Sequence, residues 1–478
     1  MVRNKSRWNP ADKSAQPVAP RRFLHRFVEP ELLQPFLFFS LVAITCSEFV
    51  RSSLVLSVLP TYGRTVLGFA VEWTGLALSV HYIVDNVLRV PVGWVIDRVG
   101  GRTLLIIGFS IGIVAIFWMM NAHQIWSLIG SMGLLGFAVT PMWPSAIATI
   151  GKSTPESKRA AFMGYLYMFW LAGMGIGPVI MGFLWSKTYH LAFLVLMAVL
   201  IAGLVCVLIF VRMPVGLRGN QGGLAGWAAP EPAVTDGEQP RGHREREVSA
   251  LGERQMVVHE QGRGQNPGLT QGSDEPLQRP SLRLRRHDLH ALWHHIRTVS
   301  FLIPGMFVQT FAVSCIVPIL SLYAKVVLHL SGPMYSLLLA CAGVVTIIGL
   351  IPAGRLVDAY GSRRFLVSGF VLGGIAMGIY PIFQSIVATY IFVAVFGVTY
   401  AFILPSWNTV LDRNIDPDRK ATLWGVFMTI EGLGSAVGAF VGGFVWDHFS
   451  PKAPFYVAAV IIVAMGILYG WMPIGRRR

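Results

Sequence analysis

Apolar residues fall in long unbroken runs along this chain, parted by short polar stretches and by one long polar interval near the middle. Read by length, the runs predict twelve helical spans at about 35–57, 73–96, 103–121, 126–149, 160–184, 190–212, 299–323, 333–357, 364–384, 387–411, 421–445 and 453–473. Each holds roughly 20 residues, enough for a helix to cross a hydrocarbon core about 30 Å thick. A membrane barrel would show short alternating segments instead. The pattern therefore predicts an all-α membrane protein with twelve transmembrane helices.

The spans form two related sets of six. Adding 261 to a position in the first set lands on a related residue in the second. Leu59 and Tyr62 fall on Leu320 and Tyr323, and Gly93, Asp97, Gly100 and Arg102 fall on Gly354, Asp358, Gly361 and Arg363. Gly136, Pro144 and Ser145 become Gly397, Pro405 and Ser406; Gly173, Gly177, Gly182 and Trp185 become Gly434, Gly438, Gly443 and Trp446. Six helices per set keep the orientation, so the repeat is parallel and a central site is expected near mid-membrane between two pseudo-symmetric halves. The expected organisation is a basic segment 1–34, a six-helix half 35–212, a linker 213–298, a second half 299–473 and a basic tail 474–478.

The linker is rich in Gly, Gln, Pro, Glu and Arg and reads as disordered, ending in an interfacial helix with Leu289, Leu292, Trp293 and Ile296. His287, His290, His294 and His295 belong to that helix, and no metal site is expected there or elsewhere.

Composition agrees with the span pattern. Only 13% of residues are charged, against about 25% in soluble domains. The net charge of +15 would suit nucleic acid, but its placement argues against that. With both termini inside, Arg64, Lys187, Lys325 and Lys452 fall outside and Arg51 and Arg89 fall within span interiors. The remaining Lys and Arg sit in cytoplasmic segments or at span edges, so the basic excess reports orientation in a cell membrane. The first apolar run is long enough to stay as a span, so no cleavable signal is expected. Cys46, Cys206, Cys315 and Cys341 all lie in spans without metal-type spacing. No nucleophile, metal or nucleotide motif appears, so an enzyme is not expected.

Two loop motifs carry the first family signal. Gly93-Trp-Val-Ile-Asp97-Arg98-Val-Gly100-Gly101-Arg102 follows the second span, and Gly354-Arg-Leu-Val-Asp358-Ala-Tyr-Gly361-Ser-Arg363-Arg364 follows the eighth. Glycine permits a tight turn, and Asp at a helix end can pair with nearby Arg. The sequence here resembles the major facilitator superfamily, which implies a conformational latch made by Asp97, Arg98, Arg102, Asp358, Arg363 and Arg364. In the fifth span, Gly164, Gly173, Gly177-Pro178 and Gly182 resemble the antiporter pattern of that superfamily, with Met181 replacing one glycine. Small-residue packing of membrane helices accounts for the same glycines.

Ionisable groups inside spans are costly and mark function by default. Glu48 and Arg51 share one face of the first span; His81, Asp85 and Arg89 follow one another at one-turn spacing in the second. Their mates in the second half are Gln309, Ala312, Ala342, Thr346 and Leu350, so that half keeps the helices and loses the charge. Its exception is Glu431, the mate of Trp170. A cavity polar on one side and apolar on the other suits an amphiphile. Glu48, Asp85, Arg51 and His81 are the expected proton-coupling set, and a structural ion-pair network is the competing account. Trp143 and Trp170 can stack on sugar faces.

At these residues the likeness narrows. Glu48-Phe-Val-Arg51, Leu59-Pro60-Thr61-Tyr62, Ser79-Val-His81 through Asp85, Met163-Gly164-Tyr165 with Trp170, and Pro405-Ser-Trp407-Asn408-Thr409 together resemble the glycolipid flippases of Gram-positive bacteria. That resemblance implies translocation of a diglucosyl-diacylglycerol anchor of lipoteichoic acid to the outer leaflet in exchange for protons. It implies Glu48, Arg51 and Asp85 as the proton-linked polar site, Trp143 and Trp170 on the sugar head, and no cofactor beyond protons; the expected substrate site adds Arg89, Asn408 and Glu431. It also implies a monomer whose candidate partners are the enzymes of glycolipid or lipoteichoic acid synthesis. The long linker and the extra Arg89 depart from that family. A proton-driven exporter of amphiphilic drugs is the alternative, and a membrane scaffold acting through the linker is a third reading.

Overall fold

The computed structural model describes residues 32, 34–154, 159–184, 188–211, 302–414 and 420–471. The linker 213–298 with its histidines, the tail 474–478 and all of segment 1–34 except residues 32 and 34 lie outside them. Twelve helical rods are seen among the described residues: α1 Pro35–Thr65, α2 Val71–Val99, α3 Gly101–Met120, α4 in two pieces (Ile125–Val139 and Met142–Ser153), α5 Arg159–Leu184 and α6 Tyr189–Phe210. The second set is α7 Ile303–Val326, α8 Gly332–Tyr360, α9 Ser362–Ile379, α10 Ile386–Asn414, α11 Lys420–His448 and α12 Ala453–Trp471. All belong to one packing unit. Eleven are long and apolar enough to cross a membrane; α2 is the exception, since it carries His81, Asp85, Asn86 and Arg89.

The first rod runs on to Thr65 where the sequence pattern predicts an end near residue 57. Pro60 lies inside it and does not break it. Leu54–Val58 widens into a π turn, in which the Leu59 N–H reaches back to Leu54 O. Pro60 has no N–H, so the helix is one donor short at this turn. Tyr335 of α8 supplies one instead, its hydroxyl donating to Leu56 O at 2.5 Å.

Helix contacts repeat at the sequence offset. Gly136 of α4 packs on the His81 backbone of α2, and its mate Gly397 of α10 packs on Ala342 of α8. Gly100 and Gly361 end α2 and α8 at φ +94° and +93°, a region that glycine enters without steric cost. Arg102 donates to Leu208 O near the end of α6 at 2.9 Å, and its mate Arg363 donates to Gly470 O near the end of α12 at 2.5 Å. The motif arginines thus tie the third helix of each half to the sixth, at carbonyls that a helix C-terminus leaves unpaired.

Contacts between the halves gather where α1 meets α2, here termed the odd-loop end. Asp447 of α11 accepts from the Glu72 N–H at 2.8 Å, and His448 lies 3.7 Å from the Glu72 carboxylate. Ser79 donates to Ala436 O at 2.5 Å, Ser336 donates to Val179 O at 2.6 Å, and Lys325 reaches the Tyr189 hydroxyl at 3.2 Å. One seam therefore joins α2 to α11 and the other joins α5 to α8. Glycines let the first close tightly: a Cβ on Gly443 would stand 2.5 Å from Val71 O.

Candidate functional site

The fifth helix fixes the level of the charged groups on the first. A Cβ on Gly173 would stand 2.5 Å from Thr45 O and 3.1 Å from the Glu48 Cβ, and one on Gly177 would stand 2.5 Å from Phe49 O. Only glycine allows that approach. Thr45 then donates to Phe169 O at 3.0 Å and Ser57 to Pro178 O at 3.0 Å. The glycine pattern read as an antiporter signature thus seats α5 on the turn that carries Glu48. Its mates Gly434 and Gly438 seat α11 on α7 in the same manner.

Glu48 is 4% exposed and takes two hydrogen bonds from Arg51, from Nε at 3.0 Å and Nη2 at 2.6 Å. Asp85 is 6% exposed and accepts from Arg89 Nη2 at 2.8 Å. The five ionisable groups of α1 and α2 therefore divide. Four of them form two acid–base pairs along their own helices, where each cation neutralises the acid one turn away. An ion kept in hydrocarbon without such a partner is strongly unfavourable.

His81 behaves differently. It is fully buried against α4, with Nδ1 3.3 Å from Met132 O, and its Nε2 has no hydrogen-bond partner among the described residues. One-turn spacing places it above Asp85, and the α2–α4 contact brings its ring to Met132. It remains within range of the charges on Asp85 and Arg51.

Three further residues join the group that sequence reasoning passed over. Tyr82 stands among Glu48, Arg51 and Asp85 and faces Ser314 of α7. Tyr167 of α5 and Tyr400 of α10 both lie within the field of Glu431, which in turn faces Arg89 across the α2–α11 seam. A signal existed for two of them: Tyr82 precedes Asp85 by three residues, and Tyr167 precedes Trp170 by three. Counting only charged side chains hid it.

Trp143 of α4 and Trp170 of α5 meet with ring centres 5.8 Å apart at 63°. Tyr167 closes the cluster at 5.7 Å from Trp143 and 6.4 Å from Trp170. The Trp170 Nε1–H is buried without a partner among the described residues, so it is a donor left available beside an aromatic surface. Asn408 is exposed on α10, and among the described residues no hydrogen bond joins it to either ion pair. Its neighbour Trp407 is buried against Tyr469.

At the other end of the bundle, Arg98 lies over the Trp94 ring at 3.4 Å. Among the described residues no ion pair joins Asp358 to Arg363 or Arg364, and Arg102 and Arg363 are engaged with carbonyls as described. Both arginines thus make bonds inside their own half. The side chain of Asp97 is outside the described set.

Known proteins resemble this chain at several levels. The chain is 26% identical over 438 residues to the proton-coupled antiporter flippase LtaA of Staphylococcus saprophyticus subsp. saprophyticus, covering 90% of this chain and 92% of that protein. It is 27% identical over 440 residues to LtaA of Staphylococcus aureus, covering 90% and 93%. A crystal structure of the nucleoside transporter NupG superposes with a TM-score of 0.64 at 14% identity, over 91% of this chain and 99% of that one, which shows the fold alone. The profile of the Major Facilitator Superfamily matches residues 37–300 and 302–477. With its two repeated six-helix halves and the motif glycines at the ends of α2 and α8, the chain belongs to the Major Facilitator Superfamily.

Proposed function

We propose that this chain is a proton-coupled antiporter flippase that moves a glycolipid such as diglucosyl-diacylglycerol from the inner to the outer leaflet by alternating access. One observation carries the reading. The pairs Glu48–Arg51 and Asp85–Arg89 sit buried in the first half, while their repeat mates in the second half are uncharged. The two staphylococcal relatives, matched over 90% of the chain, are named proton-coupled antiporter flippases and add support.

The chemistry follows from the pairs. While both carboxylates are charged, each holds its own arginine. The hydroxyls of a sugar head and a proton compete for these same carboxylates and their arginines, so the two occupy the site in turn, as exchange requires. Trp143, Trp170 and Tyr167 offer stacking faces beside it, with the Trp170 N–H as a further donor. Asn408 and Glu431 complete the polar contacts from the second half, whose apolar wall receives the acyl chains. Each pH unit of gradient supplies about 1.4 kcal/mol per proton, and His81 tunes the charge of this group from its place against α4.

The protein is read as a monomer in a bacterial cell membrane with both termini cytoplasmic, beside the enzymes of glycolipid or lipoteichoic acid synthesis. That orientation puts the odd-loop end outside. The bonds that close it then describe a state open toward the cytoplasm, with Asp97, Arg98, Arg102, Asp358, Arg363 and Arg364 governing the opposite closure.

Proteoliposomes carrying fluorescent diglucosyl-diacylglycerol provide the test. Flipping is expected to accelerate under an imposed pH gradient, and Asp85→Asn is expected to abolish that acceleration. If the labelled lipid stays put while a cationic drug exchanges for protons, the lipid reading fails and drug export replaces it.

A further inference from the structure

The Arg89 side chain is only half engaged. A guanidinium has five N–H donors in a rigid fork. Here Nη2 holds Asp85 at 2.8 Å, Nη1 reaches the Met428 sulfur of α11 at 4.0 Å, and Nε is buried with no partner among the described residues. Sulfur is a weak acceptor, so the fork points toward the second half without a strong bond there.

A stronger acceptor stands close to that contact. Glu431 follows Met428 by three residues on one face of α11 and faces Arg89. Among the described residues, no ion pair within 4.0 Å occupies its carboxylate. The helices touch at this level: a Cβ on Gly432 would overlap the Asn86 side-chain amide. Arg89 thus lies between a carboxylate one turn before it on its own helix and a second one on the facing helix of the other half. The repeat sharpens the point, because the mate of Arg89 is Leu350 and the mate of Glu431 is Trp170. The α5–α8 seam has no counterpart to either charge at these positions.

We propose that Arg89 is the coupling residue between the proton site and the α2–α11 seam, held by Asp85 when that carboxylate is charged and by Glu431 when Asp85 carries a proton. Protonating Asp85 removes the charge-assisted half of its bond to Arg89, and the guanidinium then swings to Glu431, whose charged form its approach favours. The swing transfers a local event on α2 into a bond between the halves. Other groups facing Asp85 set the background: Arg51 on α1, His81 and Tyr82 on α2 itself. Facing Glu431 are Tyr167 of α5 and Tyr400 of α10. The inference rests on proton-coupled alternating access and is independent of which lipid is carried.

The test reads distance and needs no lipid. Val99 and Tyr360 are exposed repeat mates at the ends of α2 and α8. Spin labels at Val99→Cys and Tyr360→Cys, in the full chain in nanodiscs with its four native cysteines replaced, report the spacing of the halves between pH 5 and pH 8. The unsubstituted site is expected to show a two-population shift with pH. Glu431→Gln is expected to lower the midpoint by about one unit, a tenfold loss in proton affinity, and to shrink the amplitude, while Glu431→Asp restores both. Removing a negative charge lowers the midpoint by itself, so the same substitution is repeated in an Arg89→Gln background, where its effect on amplitude is expected to vanish. A wild-type distance that ignores pH overturns the proposal. So does a Glu431→Gln protein with full amplitude, or an equal effect of Glu431→Gln with and without Arg89. Glycolipid flipping measured on the same preparation tests the substrate reading separately.

Discussion

The bond between Tyr335 and Leu56 allows a quantitative test of how the odd-loop end is closed. Pro60 leaves the helix one donor short at this turn, and the Tyr335 hydroxyl from the other half donates to the Leu56 carbonyl at 2.5 Å. Tyr335→Phe keeps the ring and removes that donor. Leaving such a carbonyl unsatisfied costs roughly 1–3 kcal/mol. The loss falls on the closed state alone, since only there do the halves meet at this point. At about 1.4 kcal/mol per factor of ten, the open population at this end is expected to rise roughly 5- to 150-fold. Spin labels at Val66→Cys and Phe449→Cys, both exposed at this end, measure that population. The hydroxyl also neighbours Ser57 and Ser321, so a double-mutant cycle isolates the Leu56 bond. Pro60→Ala returns an N–H to the helix, and in that background Tyr335→Phe is expected to shift the population by about 1 kcal/mol less, or more. Equal effects of Tyr335→Phe with proline or alanine at position 60 would refute the orphaned-carbonyl argument.

Three further outcomes are expected. Gly100→Ala and Gly361→Ala should each lower stability by about 1–3 kcal/mol, because both positions hold a positive φ that other residues enter only under strain; thermal denaturation in detergent measures it, and the two losses should be alike. Gly177→Val should separate α5 from α1 at Phe49 and abolish proton-driven flipping, with a drop in melting temperature recorded alongside. Asp447→Ala should weaken the α2–α11 seam by about 0.5–2 kcal/mol, the range for a lost helix N-terminal acceptor, and the Val66–Phe449 label pair should report a larger open fraction at neutral pH.

Much of this protein was legible before any coordinates. Long apolar runs have few solutions in a bilayer, so twelve helices follow from length. The offset of 261 located both turn glycines, and the paired approaches at Gly136 and Gly397 show that it also tracks packing. Glu48, Arg51, Asp85 and Arg89 stood out because charge in a span is rare. His81 was less readable. Spacing along α2 placed it with the other ionisable groups, and only the close α2–α4 contact shows that its ring also meets Met132. Sequence proximity likewise pointed the motif arginines toward aspartates and gave no sign that Arg102 and Arg363 reach the open carbonyls of α6 and α12.

Sequence alone determined the solvent, the helix count, the repeat and the charged asymmetry between the halves, because each depends on composition or on spacing along one helix. Partners across helices were decided by tertiary structure. Leu56 and Tyr335, Arg89 and α11, and Trp143 with Tyr167 and Trp170 are far apart in the chain or on separate elements. Their meeting depends on how closely glycine-faced helices approach and on which carbonyl a proline has left open, and neither can be read from one strand of text.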